Sequence, residues 1–357
     1  MILKEKICPL LLLGAIPCLM FCIIPVHGME FRFSWQLASI WLGGVAFCAI
    51  LSSWWLRAFF LLALIRTATM EPIMDAYMSL IMIAIFLAAI EGFTHIDERK
   101  ILACICIAAG LLLIWMSAQE FGLIPKGEFA GPFNRDAAGV FLALCLPAFF
   151  HKKRWYVIPF VFLGIAMIGT STGFIAGVAA IVVAGITCKE IAARVKIIMM
   201  VIFCIIAGLW FWKIDNIKGI AGCVRWTAWK HAAWSMRSEM FGRGLGSWKI
   251  QFPLLASGDQ RMGTVISENG KITMSNIMQQ AHNEYVQTGF ELGIQSILLI
   301  YVFLITAAWA ICNGGISPHA AGGLVALAIS CFGWHVFHIP PLALIGCAWI
   351  GIWMKGE

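Results

Sequence analysis

Residues 281–293 read AHNEYVQTGFELG, and residues 294–312 follow at once as IQSILLIYVFLITAAWAIC. The second stretch decides the fold class. It carries no charged residue over a length close to the roughly 20 residues that a tilted helix needs to cross a bilayer. Nor does it alternate apolar with polar positions as a barrel strand would. In lipid each backbone polar group has to be satisfied within its own segment, which a helix achieves and a lone strand does not. Such runs recur along almost the whole chain, where hydrophobic residues make up 61% of 357 positions and charged ones 12%. A single water-soluble core could not hide that much apolar surface. The sequence therefore predicts an all-α, polytopic integral membrane protein.

Working outward from that run, spans are expected near 7–25, 36–52, 54–66, 72–92, 101–118, 133–150, 155–170, 174–188, 197–213, 284–311, 320–336 and 340–354. That makes about twelve. The third is short and holds Arg57; 36–66 could instead be one long span, which would invert everything downstream. Basic residues arbitrate, because short cytoplasmic loops carry excess Lys and Arg. With twelve spans Lys4, Lys6, Arg99, Lys100, Lys152, Lys153, Arg154, Lys189, Arg194 and Lys196 lie inside, against Arg32, Arg66, Lys126 and Arg135 in short outer loops. Both termini are then cytoplasmic. The expected organisation is a membrane domain over 1–213, an extracytoplasmic loop over 214–283 that carries short helices, and the last three spans over 284–357.

Other features follow the same logic. The net charge of +7 does not indicate nucleic acid, since the basic residues punctuate apolar runs instead of forming a patch. Of 13 cysteines all but Cys223 fall in or at the ends of apolar segments, without zinc-type spacing, and read as small buried apolar residues. No metal or other cofactor is expected. Lys4, Glu5 and Lys6 precede an apolar stretch, but no small-x-small cleavage site comes before His27, so the first span is expected to stay uncleaved.

Polar chemistry gathers in the outer loop. In GCVRWTAWKHAAWSMRSEMFGRGLGSW, residues 222–248, helical spacing puts Arg225, Trp229 and Met236 on one side and brings Trp226, Lys230 and Ala233 together. That pattern suits a short helix at the membrane surface, with its Trp rings at headgroup level. An interfacial anchor would look the same. Gly242 to Ser247, GRGLGS, serves equally as a tight turn or as a glycine backbone approaching a phosphate, with Arg243 inside it and Arg237 just before. His282 stands at the start of a helix, Tyr285 follows one turn on, and Glu284 and Glu291 share a face seven residues apart. Alone, such a His or Asn283 would cap or anchor the helix. In the company of several arginines it becomes a candidate base.

In combination these stretches resemble the O-antigen ligase/polymerase superfamily of bacterial membrane glycosyltransferases. AHNEYVQTGFELG resembles the family's H-N-x-Y-(x)5-E-x-G signature; RWTAWKHAAWSMRSEMFGRGLGSW resembles its R-x-x-x-W and G-x-G-x-G-S-aromatic segment; GPFNRDAAGVFLALCLP resembles its Asn-containing helix start. The likeness covers about Gly131 to Tyr301. It implies a GT-C-like membrane fold in the bacterial inner membrane and a reaction on its outer side. There a glycan moves from an undecaprenyl (polyprenyl) diphosphate carrier to an acceptor hydroxyl of lipid A core, another glycan or a protein, in lipopolysaccharide or polysaccharide biosynthesis.

By the same resemblance His282 is the candidate general base, or at least the group that orients the acceptor hydroxyl, and Arg225 holds the diphosphate. Arg135, Arg243 and Arg237 are read as further donor-binding cations beside it. Asn283, Tyr285, Glu291, Asn134 and Trp229 would support them, and inversion without metal would follow. One departure stands out. The family often has Ser-Arg at the outer end of a mid-chain span, where this chain reads GTSTG with Ser171-Thr172; Arg135 is the expected substitute, unless it only anchors to headgroups. His335 and His338 in HVFHIPP suit a cap or turn. Two other classes remain open: a transporter or flippase of a lipid-linked substrate, disfavoured because most ionisable residues lie at span ends, and an inactive scaffold.

Overall fold

A computed structural model describes residues 73–124, 129–130, 133–188, 201, 224–256, 265–268, 271–274 and 280–355. The spans expected at 7–25, 36–52 and 54–66, and almost all of 197–213, fall outside these residues. The described chain is mostly helical. Helices α1 (Ile73–Thr94) and α2 (Glu98–Glu120) come first, with Asp97 capping α2 by accepting from the Arg99 N–H. After the short hairpin β1 (Phe129–Ala130) and β2 (Phe133–Asn134) come α3 (Arg135–Cys145), a 3₁₀ stretch (Leu146–Val157), α4 (Ile158–Ile168) and α5 (Ser171–Thr187). The expected span 133–150 thus ends early as an α-helix. Pro147 has no N–H for the ladder and its ring crowds the preceding turn, and the chain tightens there.

Next stand α6 (Val224–Ser235), α7 (Trp248–Leu255) and the antiparallel hairpin β3 (Val265–Glu268) with β4 (Lys271–Met274). The chain closes with α8 (Glu284–Leu292), α9 (Ile294–Cys312), α10 (Pro318–Gly333), a 3₁₀ turn (Val336–His338) and α11 (Pro340–Lys355). The expected single span 284–311 is therefore two helices, broken at Gly293. Among the described residues α2 and α9 are long and apolar enough to cross a membrane; α4, α5, α10 and α11 are shorter apolar helices. Several outward side chains are large and apolar, such as Ile114 at 67% exposure, Leu298, Val302 and Trp309. That is the face expected of a helix set in lipid.

The core is formed by α1, α2, α3, α4, α5, α10 and α11. Close helix approach relies on missing side chains: a Cβ on Gly323 of α10 would lie 2.2 Å from the ring of the fully buried Trp349 of α11. The Trp349 indole N–H donates to the Leu144 carbonyl of α3 at 2.9 Å, tying three helices at one point.

Two ends of the bundle can be told apart by contacts. At one end the Lys355 ammonium donates to the Ile96 carbonyl, and His319 and Ser317 meet the Glu98 carboxylate. At the other, the Thr172 hydroxyl donates to the Gly333 carbonyl, and Thr170 closes on Gly139 so tightly that a Cβ there would sit 2.0 Å from its oxygen. The start of α3, with Asn134 and Arg135, the start of α5 and the end of α10 therefore share this second end, which carries the site.

Candidate active site

The second end is roofed by α6 and α8. Asn283 caps α8, its side-chain oxygen accepting from the Val286 N–H at 3.1 Å. Just before it, Ala281 has both backbone groups engaged: its N–H donates to Gln287 Oε1 at 3.0 Å and its carbonyl accepts from the Trp229 indole N–H at 2.8 Å. With the chain held on either side, His282 takes φ 52°. It is the one non-glycine residue with positive φ among the described residues, a conformation that is uncommon for residues with a Cβ though enriched for His. The backbone twist carries its ring onto Trp334 (centroids 5.0 Å apart) and His335 (4.8 Å).

Arg225, in the first turn of α6, sets its guanidinium 5.6 Å from the centroid of the same Trp334 ring. The base candidate and the cation candidate thus share one indole. Burial lowers the His282 pKa to about 4, and the positive charge of Arg225 adds to that; both penalise imidazolium. His335 is driven down by burial, then by His282, His338 and Arg225. The His282 side chain is half-buried, with Nδ1 enclosed and unpartnered.

Behind His282, α8 is held along its length. Glu284 accepts from the Phe337 N–H at 2.7 Å and meets His338 Nδ1 at 3.2 Å. Gln287 bridges His338 Nε2 (3.1 Å) and Glu291 (3.2 Å), and Glu291 accepts from the Gly246 N–H at 3.0 Å. Tyr285 donates to the Ala328 carbonyl of α10 at 2.8 Å. The GRGLGS loop closes the far end of α8, with Arg243 N–H donating to Phe290 O and Gly244 N–H to Glu291 O, the last carbonyls of the helix. Gly242 crosses Gly293 backbone to backbone, and a Cβ on Gly242 would lie 2.4 Å from the Gly293 nitrogen.

Of the residues singled out in sequence, His282, Arg225, Trp229, Asn283, Tyr285 and Glu291 converge around α8. Arg243 stands at the end of α8 far from His282, with its guanidinium on Gln251 (3.3 Å), Glu239 and the Phe290 ring, and Arg237 packs over Trp234 (4.5 Å). Asn134 caps α3 by accepting from the Ala137 N–H at 2.8 Å, and Arg135 is exposed beside it at the same end of the bundle. Sequence reading passed over Trp334, gave His335 and His338 a cap or turn role, and placed Glu284 only on a face with Glu291; the one signal for the turn was two histidines among aromatics before the Pro340-Pro341 pair. No cluster of three His, Cys, Asp or Glu side chains able to hold a metal is present among the described residues.

Residues 156–301 match the O-antigen ligase family, Wzy_C. No curated protein matches the chain. The matched O-antigen ligase segment takes in Arg225, GRGLGS and His282 to Glu291, while Asn134, Arg135 and the 334–338 turn lie outside it. O-antigen ligases are membrane-integral in bacteria and have ligase or polymerase activity of glycosyltransferase type in polysaccharide biosynthesis. They act in general on lipid-linked glycans and lipid A-core acceptors.

Proposed function

We propose that this chain is a membrane glycosyltransferase that moves a glycan from a polyprenyl diphosphate to an acceptor hydroxyl on the outer side of the bacterial inner membrane. The observation that carries the reading is the convergence of His282 and Arg225 on Trp334 at one end of the helical bundle. The acceptor O–H gives its proton to His282 Nε2, the nitrogen opposite the enclosed Nδ1. As the new bond forms at the anomeric carbon, the bond to the diphosphate oxygen breaks on the opposite face and the configuration inverts. Arg225 meets the charge that grows on the leaving diphosphate; a planar, permanently charged guanidinium suits that task. Two carboxylates of the hydrolase kind are not needed, because diphosphate leaves without an acid to protonate it.

The match over 156–301 supports this reaction class, and lipid A core, a second lipid-linked glycan or a protein hydroxyl each fit as acceptor. Arg135 replaces the cation that the family often has where Ser171-Thr172 stands: it lies at the bundle end where α3 and α5 begin and α10 finishes. Arg237 and Arg243 would assist the donor from the loop, and Asn283, Trp229, Tyr285, Glu291 and Asn134 hold the frame.

The test is transfer of labelled glycan from polyprenyl diphosphate by the purified full-length chain in lipid. His282→Ala should lower kcat by about 10²–10⁴-fold, and Arg225→Ala should abolish transfer at equal expression. Full activity in His282→Ala would remove His282 as base, and full activity in Arg135→Ala beside a dead Arg225→Ala would remove Arg135 from the donor site.

A further inference from the structure

A general-base imidazole ordinarily has its second nitrogen held by a carboxylate or carbonyl, which fixes the tautomer and ring orientation. His282 has no such partner. Its Nδ1 is enclosed by protein and makes no hydrogen bond. The nearest ring is His335, centroids 4.8 Å apart with planes at 74°, and His335 Nδ1 is likewise enclosed and unbonded. Two orphaned nitrogens in touching rings are costly, since a buried polar group without a partner loses its hydration and gains no hydrogen bond in return. Small rotations of rings at that separation bring their nitrogens to about 3 Å, where one hydrogen bond satisfies both.

We infer that His335 is the positioning residue for His282: its Nδ1 lone pair accepts a hydrogen bond from the His282 Nδ1–H, leaving the His282 Nε2 lone pair free to receive the acceptor proton. His335 then carries its own proton on Nε2. When His282 becomes imidazolium in the reaction, its Nδ1–H still points at the same neutral acceptor, so the bond strengthens without a second proton moving. Burial and the neighbouring Arg225 keep both rings uncharged, as the arrangement requires.

The surroundings explain why a histidine stands where a carboxylate is usual. Arg225 lies against the same Trp334 ring that stacks on His335 at 4.6 Å. A carboxylate there would draw the guanidinium into an ion pair and take it from the leaving diphosphate. A neutral imidazole orients the base and leaves the cation available. His335 itself is held by the Trp334 stack and by the 334–338 turn, which Glu284 secures through the Phe337 N–H and His338.

This role rests on the transferase reading, and the test separates the two. The full-length chain is labelled with ¹⁵N-histidine in lipid nanodiscs, with His282→Gln and His335→Asn used for assignment. The expected spectrum shows His282 protonated on Nδ1 and His335 on Nε2. In His335→Phe, His282 should lose its fixed Nδ1–H tautomer and kcat should fall at least about tenfold with the acceptor KM unchanged, while His335→Asn, which can accept at a similar position, should recover part of kcat. If wild-type His282 carries its proton on Nε2, or if His335→Phe leaves both tautomer and kcat unaltered, the positioning role is wrong. Should His335→Phe fail to fold, the wild-type spectrum and His335→Asn still decide. A chain with no transferase activity but the expected tautomers would overturn the transfer reading and keep the pair.

Discussion

At the scale of single residues, the site is governed by where a proton can rest. The His282 pKa is lowered to about 4, first by burial and then by Arg225, so its base form persists well below the ordinary histidine range. The acid limb of kcat/KM should accordingly fall near pH 4, not near 6.5, and an acid limb at 6.5 would mean that His282 is exposed in the working enzyme. The same shift bears on stability with a definite sign. A histidine lowered in the folded state binds fewer protons than in the unfolded chain. His282 therefore costs no stability above about pH 6.5, and the folded state loses ground as pH falls from there toward 4; His335, lowered for similar reasons, acts in the same direction. Thermal unfolding scans across that window check it.

Single residues were also the most legible part of the site. Asn283 as a cap, Lys230 beside Trp226 (5.6 Å to the ring centroid) and Trp229 on the side of Arg225 all follow from helical spacing over a few residues. The contact of His282 with Trp334 and His335 was not legible, because it joins residues far apart in sequence and depends on one φ value that no composition rule fixes.

Among the elements, α8 is the one on which the proposed chemistry stands, and the whole stretch 281–312 reads as one apolar helix with a polar head. The break at Gly293 is set by a backbone crossing with Gly242, a tertiary event with no local trace beyond two glycines. In that crossing the GRGLGS loop spends its Arg243 and Gly244 N–H groups on the carbonyls that end α8, which favours the tight-turn reading of those glycines. Gly242→Ala would place a methyl 2.4 Å from the Gly293 nitrogen at φ 80°, and is expected to cost about 1–3 kcal/mol, read as a lower unfolding midpoint together with weakened transfer. Tyr285→Phe removes one hydrogen bond between α8 and α10; a loss of about 1 kcal/mol with kcat almost intact is expected, and a large fall in kcat would give Tyr285 a direct role instead.

For the molecule as a whole, the helical class and the rough positions of the later helices were legible, because lipid forbids unpaired backbone and apolar runs of that length favour helices. Local departures were not: Pro147 turns the expected 133–150 span into α3 plus a 3₁₀ stretch, and two small hairpins join the helices. Ile96, Ser317 and Lys355 lie at one end of the described bundle and Gly139, Thr172 and Gly333 at the other. If the first end faces the cytoplasm, exposed Cys312 should react with a membrane-impermeant maleimide only after cells are opened, in a background whose other cysteines are alanine. A cysteine placed by Ser238→Cys should react in intact cells whose outer membrane has been made permeable. The reverse result would invert the topology.

The Trp349 contact has a mechanical corollary. An indole filling the groove over Gly323 while gripping the Leu144 carbonyl works as a keystone: α3, α10 and α11 cannot slide past one another without ejecting it. In the proposed reaction, a carrier with a long hydrocarbon tail would then have to be admitted without movement among these three helices.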